Sequence, residues 1–307
     1  MDGLRRPSGL LAAVLGLVVL VGCSTGDAGS GLAASRAAGP SSPTTSPSPA
    51  PAPVAGLPRP DHVLVVVLEN KDQDEVMADA PFLASLARSG ASLTDMHAET
   101  HPSQPNYLAL FSGDTHGVTD DSCPHTFSAP SLGGALLNAG LTFTAWSEDL
   151  PEAGFAGCGH DGYARKHAPW ADFTDVPGHL HQPLTAMPTD FTRLPTVSFL
   201  IPNLCHDMHD CSIAQGDAWL RDHLAGYAAW AREHNSLLLV TFDEAEEHGD
   251  PQNRIATFAV GQMVAPGPDP EPADHYALLR TLEDAYGLPR LGHSADAAPL
   301  TRLWRTD

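Results

Sequence analysis

Four oxygen-bearing side chains close two apolar runs that lie far apart in the chain: Glu69 and Asn70 follow HVLVVVL, and Asp243 and Glu244 follow SLLLVTF. Continuous Val/Leu runs read as buried parallel strands, and in open α/β sheets ligands gather outside the strands' carboxyl ends. The four side chains are therefore expected to converge. Hard oxygen donors in such a set suit a divalent cation, whose identity oxygen ligands alone leave open. Between the two runs, ETHPSQPNYLALFSG places Ser103 in a Pro- and Asn-rich turn just before a helix that Pro105 can open, near backbone N–H groups without helical partners. A serine there serves either as a plain helix cap or as a nucleophile. The flanking His101 and Asn106 favour the second role, because phosphoryl transfer needs donors around the equatorial oxygens as well as an attacking group.

A third candidate segment, IPNLCHDMHDCSIAQGD, ends the apolar stretch PTVSFLIP and offers Asn203, His206, Asp207, His209 and Asp210 from one short loop, with Asn203 and Asp210 expected to contact substrate. Histidine can contact phosphate or protonate a leaving alkoxide near or below neutral pH. Of the sixteen histidines, His209 is the preferred candidate and His275 the second, with the first residue of a helix capped by Asp274 as the lesser alternative for His275. Glu246, Glu247 and Asp250 read as a solvated acidic loop.

Ahead of these segments, Arg5 and Arg6 precede the apolar run LLAAVLGLVVLVG and then Cys23, the pattern of a bacterial lipoprotein signal peptide over residues 1–22. Lipidation of Cys23 would anchor the protein on the outer face of the cytoplasmic membrane, whereas cleavage elsewhere would release it. Residues 23–60 are dominated by Ser, Pro, Ala, Gly and Thr and are expected to form a disordered tether. Residues 61–307 then suffice for one catalytic domain. A formal charge of −21 argues against nucleic acid as a partner, and nothing in the pattern implies an obligate protein partner. An anionic substrate would need local help from a cation.

Four cysteines follow Cys23, an even number that in an exported chain suggests disulfides. Three pairings are possible. Proximity favours Cys205 with Cys211 and Cys123 with Cys158, the longer loop contributing about 3–4 kcal/mol on a chain-entropy account. The competing reading of NLCHDMHDC as a zinc knot matches no standard ligand spacing.

The elements that must position these residues alternate. Strands are expected at 62–68, 92–97, 141–147, 196–201, 236–242 and 255–261, and helices at 79–89, 105–112, 130–139, 213–234 and 275–286. The fold class is α/β, with a mostly parallel central sheet flanked by helices. In the 213–234 helix, Trp219, Leu220, Leu224, Tyr227 and Trp230 recur at helical spacing and belong to the core. The Pro-, Gly- and His-rich segment 148–195 is expected to be irregular, as functional segments in compact domains often are.

Taken in order, ENK, THPSQPNYLALFSG, YARKHAPW, IPN followed by DMHDCSIAQGDAWL, TFDE and HYALLRTLEDAYGL resemble the bacterial phosphoesterase family of secreted acid phosphatases and phospholipases C, within the alkaline-phosphatase-like superfamily. The likeness spans about 61–304. It implies a metal-dependent acid phosphatase acting on phosphomonoesters, phosphoinositides among them, through a phosphoserine at Ser103. Glu69, Asn70, Asp243 and Glu244 match the metal ligands, His209 and His275 the groups assisting the leaving oxygen, and Tyr163, Arg165, Lys166 and His167 a substrate-recognition block. The phospholipase branch carries ENR, TxPNR and a Gly plus Asp-His pattern after DE, where this chain has ENK, SQPNY and DEAEEHGD; monoester cleavage is favoured over a phospholipase C-type diesterase. A binding lipoprotein that captures metal or phosphate without turnover would use the same carboxylates.

Overall fold

The strand HVLVVVL is buried along its whole apolar length, as a strand flanked by neighbours on both edges and covered on both faces must be. The computed structural model describes residues 56–246 and 248–306. The signal peptide, Cys23, most of the tether and Glu247 lie outside the described residues. In chain order the strands are β1 (His62–Leu68), β2 (Ala91–Leu93), β3 (Met96–His97), β4 (Phe143–Ser147), β5 (Gly159–His160), β6 (Tyr163–Ala164), β7 (His181–Pro183), β8 (Val197–Ile201), β9 (Ser236–Phe242), β10 (Thr257–Val260), β11 (Gly267–Asp269) and β12 (Ala273–Asp274). The α-helices are α1 (Gln73–Asp79), α2 (Pro81–Ser89), α3 (Ser103–Ser112), α4 (Leu132–Asn138), α5 (Ile213–Ala231) and α6 (His275–Tyr286).

Eight strands form one sheet in the order β11-β2-β10-β9-β1-β8-β4-β7. From β9 to β7 every pairing is parallel, while β10 runs antiparallel to both β9 and β2. The sheet is therefore mostly parallel, as the alternation of elements predicts. Register decides the site. Leu68 of β1 is level with Phe242 of β9, so the next residues, Glu69 and Asp243, leave adjacent strands at the same height.

Helices α5 and α6 follow their sequence patterns closely. Ser212 and Gln215 form a reciprocal capping box at the start of α5, whose Trp219, Leu220, Leu224 and Tyr227 are buried. Asp274 caps α6 by accepting from the Ala277 amide, and Gly287 ends it in the left-handed conformation that glycine adopts without steric cost. The expected strand 92–97 is split: Thr94 donates its amide to Asp269, and Met96–His97 pairs instead with β12 in a separate small sheet. Helix α1 had no periodic signal, since Val76 is its one buried residue. Edge strands β7 and β11, with sequences HQP and GPD, carry no apolar run to reveal them. The segment 148–195 consists of short strands and five brief 3-10 turns.

Candidate active site

Beyond Leu68 the chain turns at Asn70, whose φ of +43° lies in the left-handed region that Asn tolerates better than most residues. On the neighbouring strand Asp243 donates its amide to the Leu68 carbonyl at 2.9 Å and accepts at Oδ1 from the Asn70 amide (3.1 Å) and the Glu244 amide (2.7 Å). Lys71 bridges the two ends by donating to the Asn70 carbonyl at 2.9 Å and to Glu246 at 2.8 Å. Glu246 thus belongs to the loop's outer face.

Ser103 is the first residue of α3 and is 1 % exposed. Its hydroxyl caps nothing. Oγ lies 2.9 Å from Glu69 Oε2, 3.1 Å from Glu244 Oε1 and 3.3 Å from Asn70 Oδ1. A hydroxyl has a single proton to donate, so three surrounding oxygens leave an excess of acceptors. Asp243 completes the cluster, and its buried Oδ2 has no hydrogen-bond partner. Burial first, then the charge of Glu69, raises the Asp243 pKa well above the usual carboxylate range and that of Glu244 to about 8. An electron-rich, cation-poor oxygen cluster with an orphaned carboxylate oxygen fits a divalent cation held by Glu69, Asn70, Asp243 and Glu244.

The other face of Glu69 is neutralised by protein. Its Oε1 accepts from Tyr107 at 2.6 Å and lies 2.9 Å from Nε2 of His167, whose Nδ1 is 3.3 Å from Asp207. Burial opposes charge on both partners, but their attraction outweighs it, holding Glu69 low and His167 high. Tyr107 stacks on the imidazole with ring centres 5.1 Å apart. Glu69, His167 and Asp207 could also supply one ligand atom each to a metal. Charge balance distinguishes the two sets: here an imidazolium already compensates the acids, whereas the deficit of positive charge lies on the Ser103 side.

Sequence reasoning gave Asp207 no assigned role and read His167 only as part of a recognition block. The available signal was an acid two residues before His209 in DMHD, which the strand-end rule does not single out. Asp121 also escaped notice. It accepts from the Gln104 amide, one residue beyond Ser103, at 3.0 Å and from Lys166 Nζ at 2.8 Å.

The remaining predicted residues divide. His101 pairs through Nδ1 with Glu244 Oε2, so it does stand at the cluster. Lys166 also stands there: burial works against its charge, but the bond to Asp121 and then the charges of Glu69 and Asp243 raise its pKa. His209 is partly exposed, paired with Asp210 at 2.7 Å, and its ring centre is 6.2 Å from that of His167. Asn203 and His275 depart from their expected roles. Asn203 is spent on its own loop: it accepts from the Cys205 and His206 amides and donates to Asp149. His275 is fully buried with Nε2 3.0 Å from the Phe242 carbonyl, so it braces the end of β9 behind Asp243 instead of meeting solvent.

Asn106 is corrected most clearly. Its Oδ1 accepts from the Glu99 and Thr100 amides at 3.0 Å each, and Nδ2 donates to the Thr100 and Pro102 carbonyls at 2.9 and 3.1 Å. No capacity is left for substrate. Asn106→Ala should therefore cost about 3 kcal/mol of stability through unpaired backbone groups, measured by chemical denaturation. An unchanged midpoint would show that the turn does not need this side chain.

Both favoured disulfides are present, Cys123–Cys158 with Cα atoms 5.8 Å apart and Cys205–Cys211 at 4.6 Å. The cysteines are thus committed to each other and not to zinc. The first ties the Asp121 loop to the segment leading to Lys166; the second closes the loop carrying Asp207 and His209.

The sequence model described as "Phosphoesterase family" matches residues 76–289. The chain is 49% identical over 255 residues to a phosphatidylinositol-3-phosphatase of Mycobacterium tuberculosis, an alignment covering 81% of this chain and 85% of that one. It is 31% identical over 263 residues to a phosphate-repressible acid phosphatase of Penicillium chrysogenum, covering 79% of this chain and 63%, less than two thirds, of the fungal protein. A Vibrio parahaemolyticus protein of the alkaline phosphatase superfamily superposes with a TM-score of 0.56 at 13% identity, covering 80% and 72% of the two chains. A phosphonate monoester hydrolase from Silicibacter pomeroyi gives 0.52 at 12%, covering 78% and 76%. At such identities these structures speak for the fold alone, which is alkaline-phosphatase-like.

Proposed function

The chain belongs to the Phosphoesterase family, and from that premise we propose that it is a metal-dependent, extracytoplasmic acid phosphatase that cleaves phosphomonoesters through a phosphoserine at Ser103. It is a hydrolase of phosphoric esters, as its named relatives are. The observation that carries the finer reading is the seryl hydroxyl among the side chains of Glu69, Asn70 and Glu244 at 2.9–3.3 Å. Bound by Glu69, Asn70, Asp243 and Glu244, a divalent cation would neutralise phosphate charge and favour the seryl alkoxide. Ser103 Oγ attacks phosphorus, the P–O bond to the alcohol breaks, and the alcohol oxygen leaves with a proton; water then attacks the same phosphorus, the P–Oγ bond breaks, and Oγ takes up a proton from that water as inorganic phosphate leaves. Lys166 and the Gln104 amide hold equatorial oxygens, contributing electrostatic stabilisation as negative charge shifts toward the leaving group. In this reading His209, partly exposed and paired with Asp210, protonates that leaving oxygen.

Export with lipidation at Cys23 and reach through the tether complete the proposal. Two disulfides support an oxidising compartment. Among the described residues no helix is long and apolar enough to cross a membrane. The kinship with the mycobacterial enzyme makes phosphatidylinositol 3-phosphate the lipid substrate to try first. The test compares phosphate release from an aryl phosphomonoester and from that lipid with phosphocholine release from phosphatidylcholine vesicles. Monoester cleavage should dominate, with an optimum at about pH 5–6.5 in keeping with histidine acid catalysis. Phosphocholine release at a matching rate would replace this reading with a diesterase, and an optimum well above neutrality would remove the histidine role.

A further inference from the structure

We propose that the carboxylate of Asp121 is an internal occupant of the phosphate site, displaced when substrate binds and returning as inorganic phosphate leaves. The inference rests on the phosphatase reading above and concerns how that site empties. Asp121 Oδ1 accepts from the Gln104 amide at 3.0 Å, and Oδ2 from Lys166 Nζ at 2.8 Å. Gln104 directly follows the nucleophile, and its amide is one of the N–H groups that the first turn of α3 leaves without a helical acceptor. The two donors assigned to phosphate oxygens are therefore already bridged by one anion of the protein's own.

Placement favours a removable contact over a fixed one. The Asp121 side chain is 30% exposed and that of Lys166 19%, whereas Glu69, Asp243 and Glu244 are buried. The two carrying segments are nonetheless held close: Cys123, two residues beyond Asp121, is bonded to Cys158, whose carbonyl accepts from the Arg165 amide at 3.0 Å. The carboxylate thus sits on a stapled loop at the solvent side of the donors. When it moves aside, its hydration offsets part of the lost ion pair. A phosphate dianion gains the same two donors and competes for them with Asp121 in both directions of the binding equilibrium.

Asp121→Asn keeps the shape and the acceptor for the Gln104 amide but removes the anion that competes for Lys166. Titration calorimetry with inorganic phosphate and steady-state kinetics with a phosphomonoester provide the test, on the protein with the cation it carries after purification. The dissociation constant for phosphate and the KM should both fall about tenfold, the scale of one charge-assisted contact. Adding Lys166→Ala should abolish that gain, because the competition is over Lys166. Unchanged or weaker phosphate binding in Asp121→Asn would overturn the proposal and assign Asp121 to holding Lys166 in place; a gain that survives the double substitution would overturn it too. Calorimetry requires no turnover, so absent monoesterase activity in the unaltered protein would sink the functional reading separately from this one.

Discussion

Ser103→Ala should lower kcat by at least about 10³-fold while leaving the thermal midpoint and divalent-cation binding close to those of the unaltered protein. The size of the effect follows from chemistry. The residues around Oγ are oxygen acceptors, and without the hydroxyl the attacking group of the proposed phosphoserine is gone. Fold and cation site should survive because the hydroxyl supports no helix end and the carboxylates are held independently, Asp243 by the Asn70 and Glu244 amides and Glu69 by Tyr107. Stopped-flow phosphate release, beside calorimetry with the cation, distinguishes the outcomes. A variant retaining more than about a tenth of the rate would show that water attacks phosphorus directly. An unaltered protein that binds phosphate without releasing it from any ester would instead be a binding lipoprotein.

Removing the divalent cation should cost roughly 10³-fold or more in rate, and its effect on stability should depend on pH with a definite sign. Burial, and then Glu69, raise the Glu244 pKa from an ordinary 4.5 to about 8, and the same two causes raise Asp243 well above its own ordinary value. Without the cation, then, the folded protein retains protons that the unfolded chain releases. The stability contributed by Glu244 is fully present below about pH 4.5 and is lost as pH rises through about 8. A bound cation replaces those protons, so its affinity should rise with pH and its binding should release protons into the buffer. Saturating Mg²⁺, Mn²⁺, Ca²⁺ or Zn²⁺, each tried singly after chelation, should therefore raise the thermal midpoint more at about pH 8 than at about pH 5. Equal shifts at both values, or calorimetry in buffers of different ionisation enthalpy that detects no proton release, would contradict cation binding by these carboxylates.

Much of this site was legible in the linear chain because one physical constraint marks it. An acid placed at the end of a fully apolar strand must find a partner, and two such strands in a parallel sheet deliver their acids to the same edge. Glu69 and Asp243 were readable on that ground, and the level register of Leu68 with Phe242 bears out the convergence. Ser103 was readable from helix-start chemistry, and the disulfides from the even number of cysteines after Cys23 in a chain with an export pattern.

The contacts of Asn106 and Asn203 were not readable, and neither were those of Asp121, His167 and Asp207; for His275 the place at the start of a helix capped by Asp274 was readable, its contact with the Phe242 carbonyl was not. A polar residue in an irregular segment carries no periodicity that reports what it faces. Asn106 looked like a substrate donor until the 99–102 turn folded back over it, and His275 until α6 set it against the Phe242 carbonyl. His167 meets Glu69 only because the 165–167 turn packs against α3, and Asp121 reaches Lys166 through a contact 45 residues apart in sequence. Residue type and strand-end position thus determined which acids and which hydroxyl would meet in one cluster. Which donors surround them was decided by the tertiary approach of loops, since a side-chain hydrogen bond depends on ångström-scale distance and angle that linear spacing does not encode.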